Sequence, residues 1–208
     1  GYDTKERMRL LNLKAIPIAY EKNAYSLNKK ELDAIKKTKY YKQNNGLYLS
    51  NTISLLENKT LAPLKKFIVE KAKEYTLNVL GIKDQIYITQ SWSTVNPTNA
   101  FHEPHEHPNA FISLVYYAQC KDSFLRFVLN TTSIRECFNF HYTIDKFNIY
   151  NSQIWELPVQ TGDIALFPGH IHHGSVANKS SIPRIIVGAN FFIKGRLGTK
   201  KTVSLITI

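Results

Sequence analysis

The stretch Ala110-Phe-Ile-Ser-Leu-Val-Tyr-Tyr-Ala118 is almost continuously apolar and rich in β-branched and aromatic residues. Such a run predicts a β-strand covered on both faces. Further short runs of strand character, separated by turn signals, occupy residues 85–92, 125–129, 154–159, 164–167 and 184–193. No helical pattern interrupts residues 85–193, so we expect an antiparallel sheet that folds on itself. The predicted fold class is mainly β, a double-stranded β-helix (jelly roll), with N-terminal helices packed outside.

Helical patterns precede these strands. Asn28-Lys-Lys-Glu31 resembles a capping box and predicts a short helix through about Lys37. Apolar residues at helical spacing predict the longest helix between Thr60, as its N-cap, and Gly81. We expect three parts: residues 1–84 as a helical extension packed on the barrel, 85–196 as the jelly-roll catalytic core, and 197–208 as a C-terminal tail. Residues 130–153 are expected to be an insertion that covers the barrel mouth.

The composition constrains partners and location. The 208 residues are 43% hydrophobic and carry a net charge of +11, which is enough apolar material for a substantial core. The charge suggests an anionic partner or substrate, although a solvated basic surface explains it equally well; no nucleic-acid motif is present, and nucleic acid is not excluded. Cys120 and Cys137 form no CxxC motif, which predicts reduced thiols and a cytoplasmic protein. No apolar run approaches the length of a membrane span.

Two short windows contain six of the seven histidines: His102-Glu-Pro-His-Glu-His-Pro-Asn109 and Pro168-Gly-His-Ile-His-His-Gly-Ser-Val-Ala-Asn178. In a strand, His105 and His107 project to the same side about 7 Å apart along the chain. A third imidazole from a neighbouring strand would complete a site for one metal ion, and His173 is the candidate. Imidazole ligands with open positions predict a mononuclear metal site, with non-haem iron favoured.

Arg184 begins an otherwise apolar strand eleven residues after His173. One interpretation is a charge at a strand end that reaches for water. The other is a guanidinium that pairs bidentately with a carboxylate inside the barrel. Its place in the motif described next favours the second interpretation.

The order of these motifs resembles a known family. His173-Gly-Ser-Val-Ala-Asn178 followed by Arg184 is similar to the HGSxxN…R segment of 2-oxoglutarate- and Fe(II)-dependent dioxygenases, notably the phytanoyl-CoA hydroxylase type. His105-Glu-His-Pro-Asn109 with Ser113-Leu-Val-Tyr-Tyr117 resembles the HxHPN…SGVYY pattern of a bacterial and phage branch. Gly162-Asp-Ile-Ala-Leu-Phe-Pro168 resembles the GDLVLFP strand of that branch. The resemblance spans about residues 85–196.

This resemblance implies a hydroxylase of an unidentified substrate that uses Fe(II), 2-oxoglutarate as cosubstrate and dioxygen. It implies that His105, His107 and His173 bind the metal and are catalytic. It also implies that Arg184 binds the C5 carboxylate of 2-oxoglutarate, with Tyr117 as a hydroxyl partner and Asn109 close to the cosubstrate.

One position departs from the usual family pattern. The superfamily has HxD, and here His107 stands at the Asp position, so three histidines leave the metal more positive. Glu103 shares strand parity with His105 and is the alternative third ligand, whereas Glu106 should face away.

The remaining histidines and the tryptophans receive weaker assignments. His172 should point away from His173. His102 and His170 are candidates for lining the mouth of the barrel and contacting substrate. Trp92 and Trp155 are interpreted as barrel packing.

Two other function classes stay open on the sequence alone. One is a cupin-like metalloenzyme that uses no oxoacid, such as a three-histidine thiol dioxygenase or an isomerase, which needs no buried arginine. The other is a non-catalytic jelly-roll binding protein with an empty metal site.

Overall fold

The computed structural model describes residues 11–12, 15–128 and 143–208. Cys137, His141 and most of the predicted insertion at 130–153 lie outside the described residues. The described strands are β1 (Ala19–Glu21), β2 (Tyr40–Lys42), β3 (Tyr48–Ser50), β4 (Gln85–Asn96), β5 (His102–His105), β6 (Ile112–Gln119), β7 (Ser123–Val128), β8 (Ile154–Val159), β9 (Ile164–Pro168), β10 (His173–Ser175), β11 (Arg184–Lys194), β12 (Arg196–Leu197) and β13 (Ile206–Thr207).

Two antiparallel sheets form the barrel. The larger sheet has the strand order β1-β9-β6-β11-β4-β3-β2, and the smaller sheet has the order β5-β10-β7-β8. A separate short hairpin pairs β12 with β13. This arrangement confirms the predicted mainly β jelly roll. The predicted core strands reappear with ends shifted by a few residues, because pairing extends strands beyond their apolar runs.

The central strand β11 shows how the core is divided. Its residues Ile185, Val187, Ala189 and Phe191 are buried in the layer between the larger sheet and the helices. The alternating residues Arg184, Ile186 and Gly188 face a cavity between the two sheets. This alternation follows from the two-residue period of a strand and puts one charged side chain inside the barrel.

Two helices cover the outer face of the larger sheet. α1 (Lys29–Lys36) has the predicted capping box between Asn28 and Glu31. α2 (Ala62–Glu74) continues into a π-helical turn over Tyr75–Val79. The N-cap prediction at Thr60 was wrong: a 3-10 turn spans Lys59–Leu61, and Leu61 takes the N-cap position. None of the described helices is long and apolar enough to cross a membrane.

The N-terminal segment is less purely helical than expected. β1 pairs with β9 and β3 pairs with β4, so this segment contributes edge strands to the larger sheet. Asp163, which is 0% exposed, fixes β1 by accepting hydrogen bonds from the Tyr20 hydroxyl at 2.6 Å and the Asn23 amide at 2.9 Å. The apolar run Ala15-Ile-Pro-Ile-Ala-Tyr20 predicted an edge strand, and β1 overlaps its last two residues. Strands β2 and β3 were missed, because three residues are too few to show a period in the sequence. The division at residues 84 and 196 stays a prediction.

Candidate metal centre and oxoacid pocket

Three imidazoles meet between the sheets. One ligand nitrogen from each of His105, His107 and His173 lies within 4.8 Å of the other two. The Nε2 atoms of His107 and His173 are 3.2 Å apart. Two nitrogens bound to one ion at about 2.1 Å and roughly at right angles would lie about 3 Å apart. The donor set and its spacing therefore fit one divalent transition-metal ion.

Different backbone features bring the three histidines together. His105 and His173 are directly paired across β5 and β10, so their side chains project from the same face. His107 lies beyond the end of β5, so the prediction that one strand carries both His105 and His107 was wrong. The turn that holds His107 is fixed by its amide, which donates to the Gly169 carbonyl at 2.9 Å. Residue Asn109 in this turn has a φ of 61°, a left-handed conformation that asparagine tolerates well.

Backbone carbonyls orient two of the rings. Nδ1 of His105 bonds to the Glu103 carbonyl at 2.8 Å, and Nδ1 of His173 bonds to the Ile171 carbonyl at 2.8 Å. When Nδ1 donates its proton to a carbonyl, Nε2 keeps its lone pair and is available to a metal. The sequence reasoning did not foresee these bonds, because a backbone acceptor leaves no residue-type signal.

Burial keeps all three imidazoles neutral. It lowers the pKa of His107 to about 4, with His105 contributing, and lowers the pKa of His105. The pKa of His173 lies well below the ordinary value, chiefly because of burial and then because of His105. Neutral imidazole is the form that binds metals, so the cluster is ready to bind at neutral pH.

Arg184 lies inside the barrel at the same cavity. It is 2% exposed, which excludes the interpretation as a strand-end charge that reaches for water. Its Nη1 donates to the Ser123 hydroxyl at 2.6 Å, and its Nη2 donates to the Ser175 hydroxyl at 2.6 Å and the Val176 carbonyl at 3.0 Å. Both serines belong to the smaller sheet, so Arg184 links the two sheets.

The guanidinium has no acidic partner among the described residues. Burial lowers the pKa of Arg184, which shows that its charge is held at a cost. A buried charge without a counter-charge is expensive unless a ligand supplies one. Tyr117, which is buried and lines the same cavity, has its pKa raised by that burial and therefore stays neutral, so it supplies no negative charge.

The cavity holds about 50 Å³ and connects the histidines with Arg184. Trp92 lines it and packs on His107, with ring centroids 5.2 Å apart. The prediction that Trp92 only packs the barrel is therefore incomplete, because it also supports a candidate ligand. A side chain at Gly188 would meet the Trp92 ring at 2.5 Å, so glycine makes room for that ring.

The structure does not bring every predicted residue to this cavity. Asn109 and Glu103 are both exposed and do not line it, and Glu103 contributes only its backbone carbonyl. Among the other histidines, His102 lines the cavity and stacks on His105 with centroids 4.1 Å apart. His170 is exposed and does not line the cavity.

His172 and Glu106 both point to solvent. They approach each other at 3.4 Å with half-exposed side chains, and neither lines the cavity.

Two further motif residues hold the site in shape. A side chain at Gly174 would meet the His102 carbonyl at 2.6 Å, so only glycine lets β10 lie this close to β5. Asn178 is buried; its amide nitrogen donates to the carbonyls of Asn96 and Ile182, both at 2.9 Å, and its oxygen accepts from the Ser180 amide at 3.1 Å. These bonds fix the loop that leads into Arg184.

One residue of the cavity was missed altogether. The sequence Asn96-Pro-Thr-Asn99 predicts a loop, yet Asn96 ends β4, pairs directly with Arg184 and lines the cavity. Its Nδ2 is the one buried side-chain nitrogen or oxygen without a hydrogen-bond partner in the described part of the chain. A single asparagine before a proline gives a turn signal, which concealed this position.

Comparison with known proteins identifies the class. Residues 90–190, about half of the chain, match the family described as 2OG-Fe(II) oxygenase. No curated protein sequence matches the chain. The matched segment contains the three histidines and Arg184. The fold and the family match together define a jelly-roll oxygenase.

Solved structures agree with the fold. The epimerase SnoN from nogalamycin biosynthesis, described as non-heme and alpha-ketoglutarate-dependent, is similar over 86% of this chain and 77% of its own, with a TM-score of 0.60 and 13% identity. HygX from Streptomyces hygroscopicus, solved with nickel, 2-oxoglutarate and hygromycin B, is similar over 85% and 82%, with a TM-score of 0.58 and 8% identity. A 2OG-Fe(II) oxygenase family oxidoreductase from Burkholderia pseudomallei is similar over 84% and 83%, with a TM-score of 0.56 and 8% identity. The chain belongs to the 2-oxoglutarate- and Fe(II)-dependent oxygenases.

Proposed function

We propose that this oxygenase hydroxylates its substrate at a metal held by His105, His107 and His173, with 2-oxoglutarate bound through Arg184. The observation that carries the proposal is the buried guanidinium, which shares one cavity with the three imidazoles and has no acidic partner among the described residues. A dicarboxylate that carries a 2-oxo group fits both ends of such a cavity: one carboxylate for the arginine, and a chelating oxoacid for the metal.

The donor set supports iron. Three neutral imidazoles with open positions suit Fe(II), which needs free sites for a cosubstrate and dioxygen. Bound there, Fe(II) and 2-oxoglutarate supply the oxidative decarboxylation that activates dioxygen for attack on a substrate C–H bond. His107 replaces the carboxylate usual at this position, and Glu103 does not reach the cluster. We therefore assign the third ligand to His107.

The protein contributes positions, neutrality and a restricted cavity. The carbonyls of Glu103 and Ile171 hold the rings of His105 and His173 so that Nε2 faces the ion. Trp92 supports the ring of His107 from the side. Arg184 holds the distal carboxylate and thereby orients the oxoacid, which reduces the entropy lost in reaching a reactive geometry.

The substrate and the type of oxidation are part of the proposal. The net charge of +11 supports an anionic substrate, with nucleic acid as one member of that class. SnoN is an epimerase, so proteins of this fold use it for reactions other than hydroxylation. Hydroxylation is distinguished by a product heavier than its substrate by one oxygen atom.

The burial of Arg184 and the bonds behind the imidazoles weigh against the two alternative functions. A metalloenzyme that uses no oxoacid has no need for a buried, unpaired arginine in its metal cavity. A binding protein with an empty site has no need for the orienting carbonyls behind two of the imidazoles.

The test is iron-dependent conversion of 2-oxoglutarate to succinate by the full chain, measured without added substrate. We expect slow turnover that requires Fe(II) and dioxygen. His173→Ala should abolish it, because two remaining imidazoles hold the ion poorly. His172→Ala is the matched control, because this neighbouring imidazole is half exposed and does not line the cavity. This substitution should leave the turnover unchanged. Arg184→Ala should raise the 2-oxoglutarate requirement at least about tenfold, because a charged hydrogen-bonding partner is lost.

Two results would overturn the assignment. Turnover that survives His173→Ala would exclude His173 as a ligand. A wild-type protein that binds neither iron nor 2-oxoglutarate would exclude the function itself.

A further inference from the structure

The guanidinium of Arg184 cannot hold a carboxylate by its usual fork. A guanidinium has five N–H donors, and each of its two parallel forks includes Nη2. Both N–H groups of Nη2 are already used, by the Ser175 hydroxyl and the Val176 carbonyl. Nη1 has given one N–H to Ser123. Two N–H groups stay free, one on Nη1 and the one on Nε, and they do not form a parallel fork, so a carboxylate that leaves these bonds intact receives a single N–H from Arg184.

A second donor lies on the neighbouring strand. Asn96 is directly opposite Arg184 in the β4–β11 pair, so the two side chains leave the same face with Cβ atoms about 5 Å apart. Asn96 is 2% exposed and lines the same cavity. Its Nδ2 has no partner among the described residues. Burying an amide N–H₂ without a hydrogen bond is unfavourable, so its persistence next to a buried cation indicates a missing acceptor.

One contact with the protein gives the orientation of this amide. The Thr94 hydroxyl donates to Asn96 Oδ1 at 3.4 Å, which leaves the nitrogen side of the amide without a protein contact. The backbone carbonyl of Asn96 accepts from Asn178 at 2.9 Å, so the strand end itself is held in place. The strand end that carries the unpartnered nitrogen is therefore held by the protein.

We propose that Asn96 is a binding residue for the distal carboxylate of the oxoacid, with its Nδ2 donating to one carboxylate oxygen while a free N–H of Arg184 donates to the other. This inference rests on the proposed function, because it assumes that the ligand is 2-oxoglutarate. The amide and the guanidinium together replace the arginine fork. Asn96 thereby contributes to the preference for an oxoacid with a second carboxylate over one that ends in a methyl group.

The test uses the nickel(II)-loaded full chain and calorimetric titration with two ligands, 2-oxoglutarate and 2-oxopentanoate, which has the same chain length but ends in a methyl group. Asn96→Leu keeps the side-chain shape and removes the donor. We expect it to weaken 2-oxoglutarate binding about 10- to 100-fold, since a hydrogen bond to a charged group is lost. Binding of 2-oxopentanoate and of nickel(II) should stay within about twofold of wild type.

Two further variants make the result decisive. Asn96→Asp keeps the shape and the Thr94 contact but replaces a donor by a negative charge, so it should weaken 2-oxoglutarate binding at least as much as leucine does. Gln90→Leu is the control, because it removes a side-chain amide from the same strand. The oxygen of this amide accepts a hydrogen bond from Asn190 at 3.1 Å, and Gln90 does not line the cavity. It should leave 2-oxoglutarate binding unchanged.

The outcomes separate the two proposals. Wild-type affinity for 2-oxoglutarate in both Asn96 variants would overturn the inference and leave the proposed function standing. An equal loss for both oxoacids would also overturn it, because the effect would not pass through the distal carboxylate. Failure of the wild-type protein to bind 2-oxoglutarate at all would refute the proposed function.

Discussion

Gly188→Ala should move Trp92 and thereby disturb the metal site. The new Cβ would lie 2.5 Å from two carbons of the Trp92 ring, where an ordinary contact is 3.4–4 Å. The ring must therefore shift by about 1 Å, and His107 is its neighbour within the cavity. Overpacking of this kind costs about 1–3 kcal/mol. Loss of glycine's freedom in the unfolded chain offsets about 0.4–1 kcal/mol, so the midpoints of the two ranges give an expected net loss of unfolding free energy of about 1.3 kcal/mol.

The assay is urea unfolding of wild type, Gly188→Ala, Trp92→Phe and the double variant. Phenylalanine at position 92 is smaller and gives the new methyl group room. The double variant should therefore be more stable than the sum of the single effects predicts, by at least about 0.5–1 kcal/mol. Nickel(II) affinity should fall in Gly188→Ala, because a displaced Trp92 pushes on the ring of His107. The packing argument would be refuted if the effects of the two substitutions on the free energy of unfolding were strictly additive. It would also be refuted if Gly188→Ala were as stable as wild type.

Three further changes test the pH response, the loop and the N-terminal strand. In chelator-treated protein, the free energy of unfolding should be fully present above about pH 6.5 and should fall as the pH is lowered toward about 4. Burial lowers the pKa of His107 in the folded protein to about 4, so between these two pH values the unfolded chain binds more protons than the folded protein does. Asn178→Ala should cost about 2–3 kcal/mol in urea unfolding and also weaken 2-oxoglutarate binding, because the loop before Arg184 loses three hydrogen bonds. Asp163→Ala should cost about 3 kcal/mol or more in thermal or urea unfolding, while Tyr20→Phe, which removes one of the same bonds, should cost about 1 kcal/mol.

Each of these changes has an outcome that contradicts it. His107→Gln cannot become charged, so an unchanged pH dependence in that variant would remove His107 from the explanation. Asn178→Ala with wild-type stability would mean that the loop is held by other contacts. Equal losses in Asp163→Ala and Tyr20→Phe would show that the bonds that Asp163 accepts from the backbone amides of Asn23 and Gln160, both at 2.9 Å, contribute little.

The strands and the histidines were predictable because their signals are local. The apolar run at 110–118 and the two histidine windows predicted a barrel strand and a three-histidine cluster, and the structure places His105, His107 and His173 together. The position of His107 was predicted incorrectly, because His105 and His107 were placed on one strand and the strand ends at His105. Its actual position depends on a turn bonded to Gly169, which is distant in sequence.

The proposed binding pocket for the oxoacid was only half predictable. Arg184 is conspicuous as a charge in an apolar strand, whereas Asn96 looks like any polar residue at a turn. Its importance arises from pairing across β4 and β11 and from the lack of a hydrogen-bond partner, and neither property is visible before the strands are in register. The role expected for Asn109 has no support in the structure, because a turn directs it to solvent.

The bonds from Arg184 to Ser123 and Ser175 have a consequence for selectivity. The imidazoles of His105 and His173 belong to the smaller sheet and the guanidinium to the larger one, and these two hydroxyl contacts tie the sheets together at the arginine. The separation between the metal and the cationic group is thus set by the scaffold before any oxoacid enters. In the proposed function, an acid one carbon shorter or longer would meet a span of the wrong length, and the spacing between the two sheets would select the cosubstrate by its length.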